Sequence, residues 1–509
     1  MNLQILGKDI KISMKVVPVI SPLWRLKKNG DWYILKKEGI EESAYLKLSP
    51  LAAATVPLFN GKRTMAEISS ILYFAHELTS VDEGFKMVSS IISQINSTSN
   101  GAILEGNEEI LHHYLVYDPL SFISLENNHK EQLRLASPIS IELMFSNNCQ
   151  TDCVYCYAER RKILKSKELT KARWKEIFQE IDQLGIETVD LSGGDPLFRS
   201  DSVDLLTELI YLQKLFILST KCHVTKEMAT QLFVAGITSQ VNGLSRVVQF
   251  SLDCYDKKIA DFLTGKSGYF EKAIDSLQNM SCLNSILRVK AVVTPFNAPH
   301  IYKLARYLND IGIKQLNCTS YSRSFHRHNE ELFLGPKDID IYKMQMSEIE
   351  KDFSHMEIVT DAHSVQEKQT ATNLSSSQIH MVNKSTKEKE DMWNKRSVCS
   401  GGRTSLTITP DGKVILCDQI SQNKDFIVGD VSGHTILEVW NSEKMLNFVY
   451  PAGEKFKNAP CYECDDKQDC YQIGGEKGYC FRDSYFIYGN QFCPPPACPR
   501  SQDDGPRMN

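Results

Sequence analysis

The sequence is short of several features that would point elsewhere. It has no run of about 18 apolar residues, which argues against a membrane-spanning helix. It has no basic excess. Its 58 Lys and Arg stand against 63 Asp and Glu, a net charge of −5, which offers nothing for non-specific nucleic-acid binding. The opening MNLQILGKDIKISMKVV scatters lysines where a cleavable signal would carry an apolar core, so no secretory signal is expected. Cysteine is missing from residues 1–148 altogether. With 42% hydrophobic and 24% charged residues in 509, the chain has enough apolar side chains for packed cores, about three domains at roughly 100–200 residues each.

The cysteines that are present fall in clusters. Of fifteen, three lie within eight residues at Cys149, Cys153 and Cys156, and eight lie between 399 and 498; Cys222, Cys254, Cys282 and Cys318 stand alone. Clustered thiols without a signal segment favour metal or iron–sulfur ligation over disulfides. The expectation is a cytoplasmic metalloprotein, with zinc-ribbon sites as the plainer rival.

Patterning divides the chain. In residues 1–130, WRLKKNGDWYILKKEG alternates about Asn29-Gly30 as a hairpin, and SAYLKLS extends the strand pattern. Helical stretches follow from Pro50, over 65–78 and over 80–95, the last with Ser80 and Glu83 spaced as a capping box. The block reads as a winged-helix-like α+β domain. In residues 137–335, the apolar runs PISIELMF, TVDLSG, LFILST, VVQFSLD, RVKAVVT and KQLNCTS are separated by amphipathic segments such as ARWKEIFQEIDQLG. Strands alternating with helices imply an α/β fold with a parallel sheet, here a partial (β/α)6 barrel, whose chemistry sits at the carboxyl ends of the strands. Residues 336–396 read as a helix and a polar linker. Residues 397–509 are cysteine-rich, with so little apolar periodicity that metal ligation is expected to hold this C-terminal domain.

Cys149-Gln-Thr-Asp-Cys153-Val-Tyr-Cys156 directly follows the first barrel strand. Three thiolates on one short loop can hold three corners of a four-iron cluster and leave the fourth iron open to a small molecule; closed electron-transfer clusters use four. Tyr155 is placed to shield such a cluster. This C-x3-C-x2-C loop resembles the signature of the radical S-adenosylmethionine (SAM) superfamily. The resemblance implies that SAM binds the open iron and is cleaved to a 5′-deoxyadenosyl radical that abstracts a substrate hydrogen. Ser192-Gly193-Gly194-Asp195-Pro196 is similar to the family's GGEP element, which contacts the methionine amine, with Asp in place of Glu. Ser219 and Lys221 end the third strand and Ser251 and Asp253 the fourth, where relatives place SAM-binding polar groups; Asn297 follows the fifth.

Residues 397–509 resemble the SPASM extension of that superfamily. Cys399, twelve residues, Gly412, four residues and Cys417 fit its first element, and Cys461-x2-Cys464-x5-Cys470 its second. The family next expects a cysteine at position 474, which is Gly; Cys480, beyond an insertion holding Gly474-Gly475, is taken as the displaced ligand. The resemblance implies two auxiliary [4Fe–4S] clusters. One would use Cys399, Cys417 and Cys480 and have an open site, unless the spare C-terminal cysteine fills it. The other would use Cys461, Cys464, Cys470 and either Cys498 or Cys493. In the first block, LSPLAAATVPLFNGKRTMAEI looks like the leader-peptide recognition domain of ribosomally made natural products. The resemblances together imply a radical SAM/SPASM peptide maturase that builds a thioether or carbon–carbon crosslink. Its partners would be a precursor peptide, held by its leader, and an electron donor such as flavodoxin or ferredoxin, with no nucleic acid and no membrane. The rivals are a peptide epimerase drawing a hydrogen atom from Cys222, Cys254 or Cys318, a sulfatase-type protein maturase, and a zinc-stabilised peptide-binding scaffold.

Overall fold

The computed structural model describes residues 12–30, 32–38, 45–99, 101–106, 117–122, 134–158, 161–241, 243–322, 327, 329–363, 386–395, 399–471, 480–495 and 498–501. Most of the expected polar linker and the Gly474-Gly475 insertion lie outside these residues. The chain forms two compact units. The first comprises residues 1–131, 135–139 and 240–245, and the second the remainder.

The first unit holds a three-stranded antiparallel sheet of β2 (Trp24–Asn29), β3 (Trp32–Lys37) and β4 (Tyr45–Leu48), in that order. Asn29 pairs with Trp32, so the two-residue turn begins at Gly30, whose φ of +62° is left-handed backbone that glycine adopts without strain. Asn29 keeps its strand position and accepts the Ala136 backbone N–H at 2.9 Å. A second, two-stranded pairing joins β1 (Pro18–Ile20) to β5 (Ile103–Glu105). Helices α1 (Pro50–Thr55), α2 (Met65–Ala75) and α3 (Val81–Ser99) bury Ala53, Ile68, Leu72, Val88 and Ile92 with Trp24, Leu26 and Leu35 of the sheet. The expected capping box at Ser80 is half formed. Ser80 accepts the Glu83 N–H, but the Glu83 carboxylate turns back to the backbone and hydroxyl of Thr79. A complete box stands at Thr64 and Glu67, at the start of α2.

The second unit is organised by one ten-stranded sheet. The six expected strands appear in chain order as neighbours: β6 (Ser140–Ser146), β7 (Thr188–Gly193), β8 (Leu215–Thr220), β9 (Val247–Ser251), β10 (Leu287–Val293) and β11 (Gln315–Ser320). All are parallel. The sheet runs on at both ends. β12 (Glu357–Thr360) adds a seventh parallel strand beside β11, within the segment expected to be helix and linker. β13 (Ser405–Ile408) lies parallel against the other side of β6, followed by antiparallel β14 (Lys413–Ile415) and β15 (Gly429–Asp430). The cysteine-rich segment is thereby joined to the sheet through backbone hydrogen bonds.

Helices α4 (Lys171–Gln183), α5 (Ser202–Tyr211), α6 (Lys226–Val234), α7 (Lys257–Thr264), α8 (Tyr269–Asn279), α9 (Ile301–Asp310) and α10 (Pro336–Asp352) connect the parallel strands. α4 shows why. Trp174, Ile177, Phe178 and Ile181 recur at helical spacing, are fully buried, and bring the Trp174 ring within 5.2 Å of Phe145 on β6. Each such side chain contributes about 1.5–3 kcal/mol on burial. No described helix is long and apolar enough to cross a membrane.

Candidate active site

The carboxyl ends of the parallel strands surround a cavity of about 320 Å³. Cys149, Cys153 and Cys156 all line it, with Tyr155 from the same loop. The end of β7 and the turn after it contribute Ser192, Gly193, Gly194 and Asp195, the end of β8 Ser219 and, just beyond it, Lys221, and the end of β9 Ser251 and, two residues on, Asp253. Of the residues singled out for SAM contact or for the first cluster, all but Asn297 therefore face one space.

The cysteine loop is fixed by its own backbone. Asp152 N–H and Val154 N–H donate to Thr264 and Leu263 carbonyls at the end of α7. Gly194 and Asp195 N–H donate to Ser146 and Asn148 carbonyls, tying the end of β7 to the start of the loop. The glycines are required for that approach. A Cβ on Gly194 would lie 2.3 Å from the Asn148 oxygen, and one on Gly193, at φ +112°, 2.6 Å from that of Ser146. The close contact they permit is with the protein's own cysteine loop.

Asp195 is buried, and its carboxylate already accepts the Leu197 N–H at 3.0 Å, the Lys221 N–H at 2.7 Å and the Thr220 hydroxyl at 2.8 Å. Burial raises its pKa, and those donors oppose the rise. Asp253 is the hub of the opposite wall. It accepts from Val292 N–H at 2.9 Å and from the Tyr155 hydroxyl, and Lys221 Nζ stands 3.8 Å away. Lys221 also lies over the Tyr155 ring at 5.4 Å. Burial, with Asp253 adding to it, pushes the Tyr155 hydroxyl well above its ordinary pKa, so it acts as a donor. Asn297 does not line the cavity. It is buried and braces the Asp253 carbonyl at 2.6 Å.

Sequence reasoning passed over several lining residues, among them Tyr157, Gln249, Lys290, Thr319 and Tyr321. Gln249 and Ser251 alternate along β9, so the alternation of strand faces was the available signal for Gln249. A further polar group adjoins Ser192. Glu142 on β6 accepts the Thr407 hydroxyl of β13 at 2.9 Å, and the Tyr157 hydroxyl lies 3.4 Å from that of Ser192. Withdrawal from water raises the Glu142 carboxyl well above the carboxylate range, and neighbouring Asp418 and Asp190 raise it further. The solitary Cys222, Cys254 and Cys318 are buried and do not line the cavity, and Cys282 is exposed.

The C-terminal cysteines form two neighbourhoods. Burial pushes Cys417 up to about 12, with Asp418 and Cys399 contributing; Cys480 is likewise raised by burial, and feels Asp483, Arg482 and Cys399. Burial also pushes Cys461 up to about 12, and Cys498, Cys464, Cys470 and Cys493 all add to the rise. The first neighbourhood thus holds Cys399, Cys417 and Cys480, and the second the other five. Among the described residues, no three His, Cys, Asp or Glu side chains stand as a ready single-ion site. The donor set suits iron–sulfur ligation, because grouped thiols withdrawn from water need a bound cation to become thiolates.

A parallel sheet with a three-thiol loop lining a cavity at its carboxyl ends, and two further thiol groups in the same unit, is the arrangement of an iron–sulfur protein. The comparisons say which kind. Residues 143–286 match the radical SAM superfamily, and residues 399–465 match the SPASM iron–sulfur cluster-binding domain. The chain thus carries a radical SAM domain and a SPASM domain, with a SAM-binding [4Fe–4S] cluster and auxiliary clusters as their cofactors. It is similar to the PqqA peptide cyclase of Methylocella silvestris, 21% identical over 383 residues, which span 73% of this chain and 90% of that protein. It is similar to the PqqA peptide cyclase of Rhodopseudomonas palustris at 23%, over 71% of this chain and 86% of that protein. Its fold is like that of Streptococcus suis SuiB, with a TM-score of 0.54, 16% identity, and 84% and 89% of the two chains covered. SuiB bound to precursor peptide SuiA gives 0.53 at 15% identity, over 84% and 89% of the two chains. That coverage exceeds the second unit alone, so the likeness of fold reaches into the first.

Proposed function

We propose that this chain modifies a ribosomally synthesised precursor peptide, forming an intrapeptide crosslink. The observation that carries the reading is the convergence of three loop cysteines and nine polar or glycine positions on one cavity, with two more thiol groups in the same unit. When bound, SAM on its cluster would supply a 5′-deoxyadenosyl radical for hydrogen abstraction, and the auxiliary clusters would supply a sink for the second electron. The chain's residues bind and orient. Cys149, Cys153 and Cys156 would hold the first cluster. Cys399, Cys417 and Cys480 would hold one auxiliary cluster, and Cys461, Cys464 and Cys470 the other, with Cys493 or Cys498. Tyr155, Ser192, Gly193, Gly194, Asp195, Ser219, Lys221, Ser251 and Asp253 would hold SAM, with Asp195 locking β7 to β8 and Asp253 fixing Tyr155 and Lys221.

The curated relatives are named for acting on a peptide, and SuiB is described with a precursor peptide bound. These names support a precursor peptide as the partner here, held through its leader by residues 1–130. Residues 137–335 are assigned to the radical SAM barrel, 336–396 to a connector and 397–509 to the SPASM domain. A flavodoxin or ferredoxin is assigned as electron donor. The cytoplasm suits a chain with fifteen free thiols.

The test is iron and sulfide per chain after anaerobic reconstitution, with SAM cleavage and peptide mass measured alongside. The intact protein should hold about twelve irons in three four-iron clusters. The Cys149/Cys153/Cys156→Ala protein should hold about eight and cleave no SAM. The precursor should lose two hydrogens on crosslinking. Unchanged peptide mass with altered stereochemistry would turn the reading to epimerisation. Zinc in place of iron would sink it.

A further inference from the structure

We propose that Arg327, on the segment after β11, is a positioning residue for the cluster on Cys149, Cys153 and Cys156, and that its charge helps set that cluster's reduction potential. The proposal rests on the assignment of that loop as the SAM-cluster loop.

One guanidinium reaches across 174 residues of sequence to the centre of the loop. Nη1 donates to the Asp152 carbonyl at 2.8 Å and to the Cys153 carbonyl at 3.1 Å. Nη2 meets the Asp152 carboxylate at 2.5 Å. The Cys153 carbonyl also accepts the Cys156 N–H at 3.2 Å, so Arg327 reaches the peptide unit that already links two of the three cysteines. On the other side, the Tyr321 hydroxyl donates to the Arg327 carbonyl at 3.4 Å and accepts from Asn329 N–H at 3.3 Å. Tyr321 is 2% exposed and lines the cavity. Arg327 therefore bridges the cavity wall and the cysteine loop.

The loop does not depend on this arginine alone for its path, because the end of α7 holds Asp152 and Val154 by backbone bonds. What the arginine adds is a planar fork, able to engage two carbonyls and a carboxylate together, and a fixed positive charge. A cation beside the loop favours the more negative, reduced cluster; the Asp152 carboxylate opposes it. Arg327 and Asp152 are 31% and 64% exposed, so water screens the effect and its size is modest.

The test uses the full chain, reconstituted anaerobically, with Arg327→Gln, Arg327→Lys and Asp152→Asn. The readout is the midpoint potential of the cluster whose paramagnetic signal changes when SAM is added. Arg327→Gln should shift it to more negative values and Asp152→Asn to more positive ones, each by a three- to tenfold change in the reduced fraction at fixed applied potential. Tenfold corresponds to 59 mV for one electron. Arg327→Lys should keep the potential and lose iron faster on chelation, since the charge stays and the fork is gone. Shifts of the same sign, or both below twofold, would overturn the proposal. Should Arg327→Gln hold no iron, Asp152→Asn decides by the presence or absence of its positive shift. If the unaltered protein has no SAM-responsive cluster, the assignment of the loop itself fails, an outcome the variants cannot imitate.

Discussion

At the scale of single residues, the site is a set of short backbone contacts that admit no extra atom. Gly194→Ala would drive a methyl group into the Asn148 carbonyl, a backbone atom with little room to yield. The expected outcome is a loop displaced enough to halve iron retention, with about 1–3 kcal/mol lost from overpacking. Iron analysis and thermal melting check it, and a variant with full iron would show that the glycine is dispensable. Glu142 provides a pH signature. Its folded pKa is raised, so the native state keeps a proton that the unfolded state releases, and its contribution to stability is lost as pH rises. Glu142→Gln should therefore gain in Tm relative to the unaltered protein, and gain more at pH 8.5 than at pH 6. An equal difference at both values would contradict the sign. The cysteine spacing and the Ser-Gly-Gly-Asp-Pro element were legible from sequence because they are contiguous. The roles of Asp195 and Asn297 were not, since both act on strand ends distant in the chain.

At the scale of elements, strands β6 to β11 were legible because each is an apolar run between helical segments, as a strand covered on both faces must be. β12 escaped because its four residues alternate between exposed and half-buried and carry little apolar signal. β1 and β5 have three residues each, too few for any period to show. Helix α4 carries much of the packing behind the cysteine strand, with Trp174 against Phe145 and Phe178. Trp174→Ala should cost about 3–5 kcal/mol, read as a lower urea midpoint with an unchanged slope. A loss below 1 kcal/mol would mean that the neighbours collapse into the space. Because Phe145 lies only four residues before Cys149, the same variant should also loosen the loop.

At the scale of the molecule, the expected boundary between barrel and cysteine-rich segment does not coincide with a break in packing. The two segments share a sheet through β6 and β13, and both belong to one compact unit. This was illegible because register between distant strands leaves no local mark in a sequence. Removal of residues 404–509 should expose β6 as an unpaired edge and give aggregated protein by light scattering, even with the first cysteine loop intact. A monodisperse truncated chain would show that the edge is protected some other way.

The pairing of β6 with β13 also has a consequence in time. Ser140 and its partner Ser405 leave the ribosome 265 residues apart. At about 5–20 residues per second, that interval is on the order of tens of seconds. For that period the strand that leads into the first cysteine loop has one hydrogen-bonding edge without its native neighbour. That edge gains its native partner only when the last fifth of the chain has emerged.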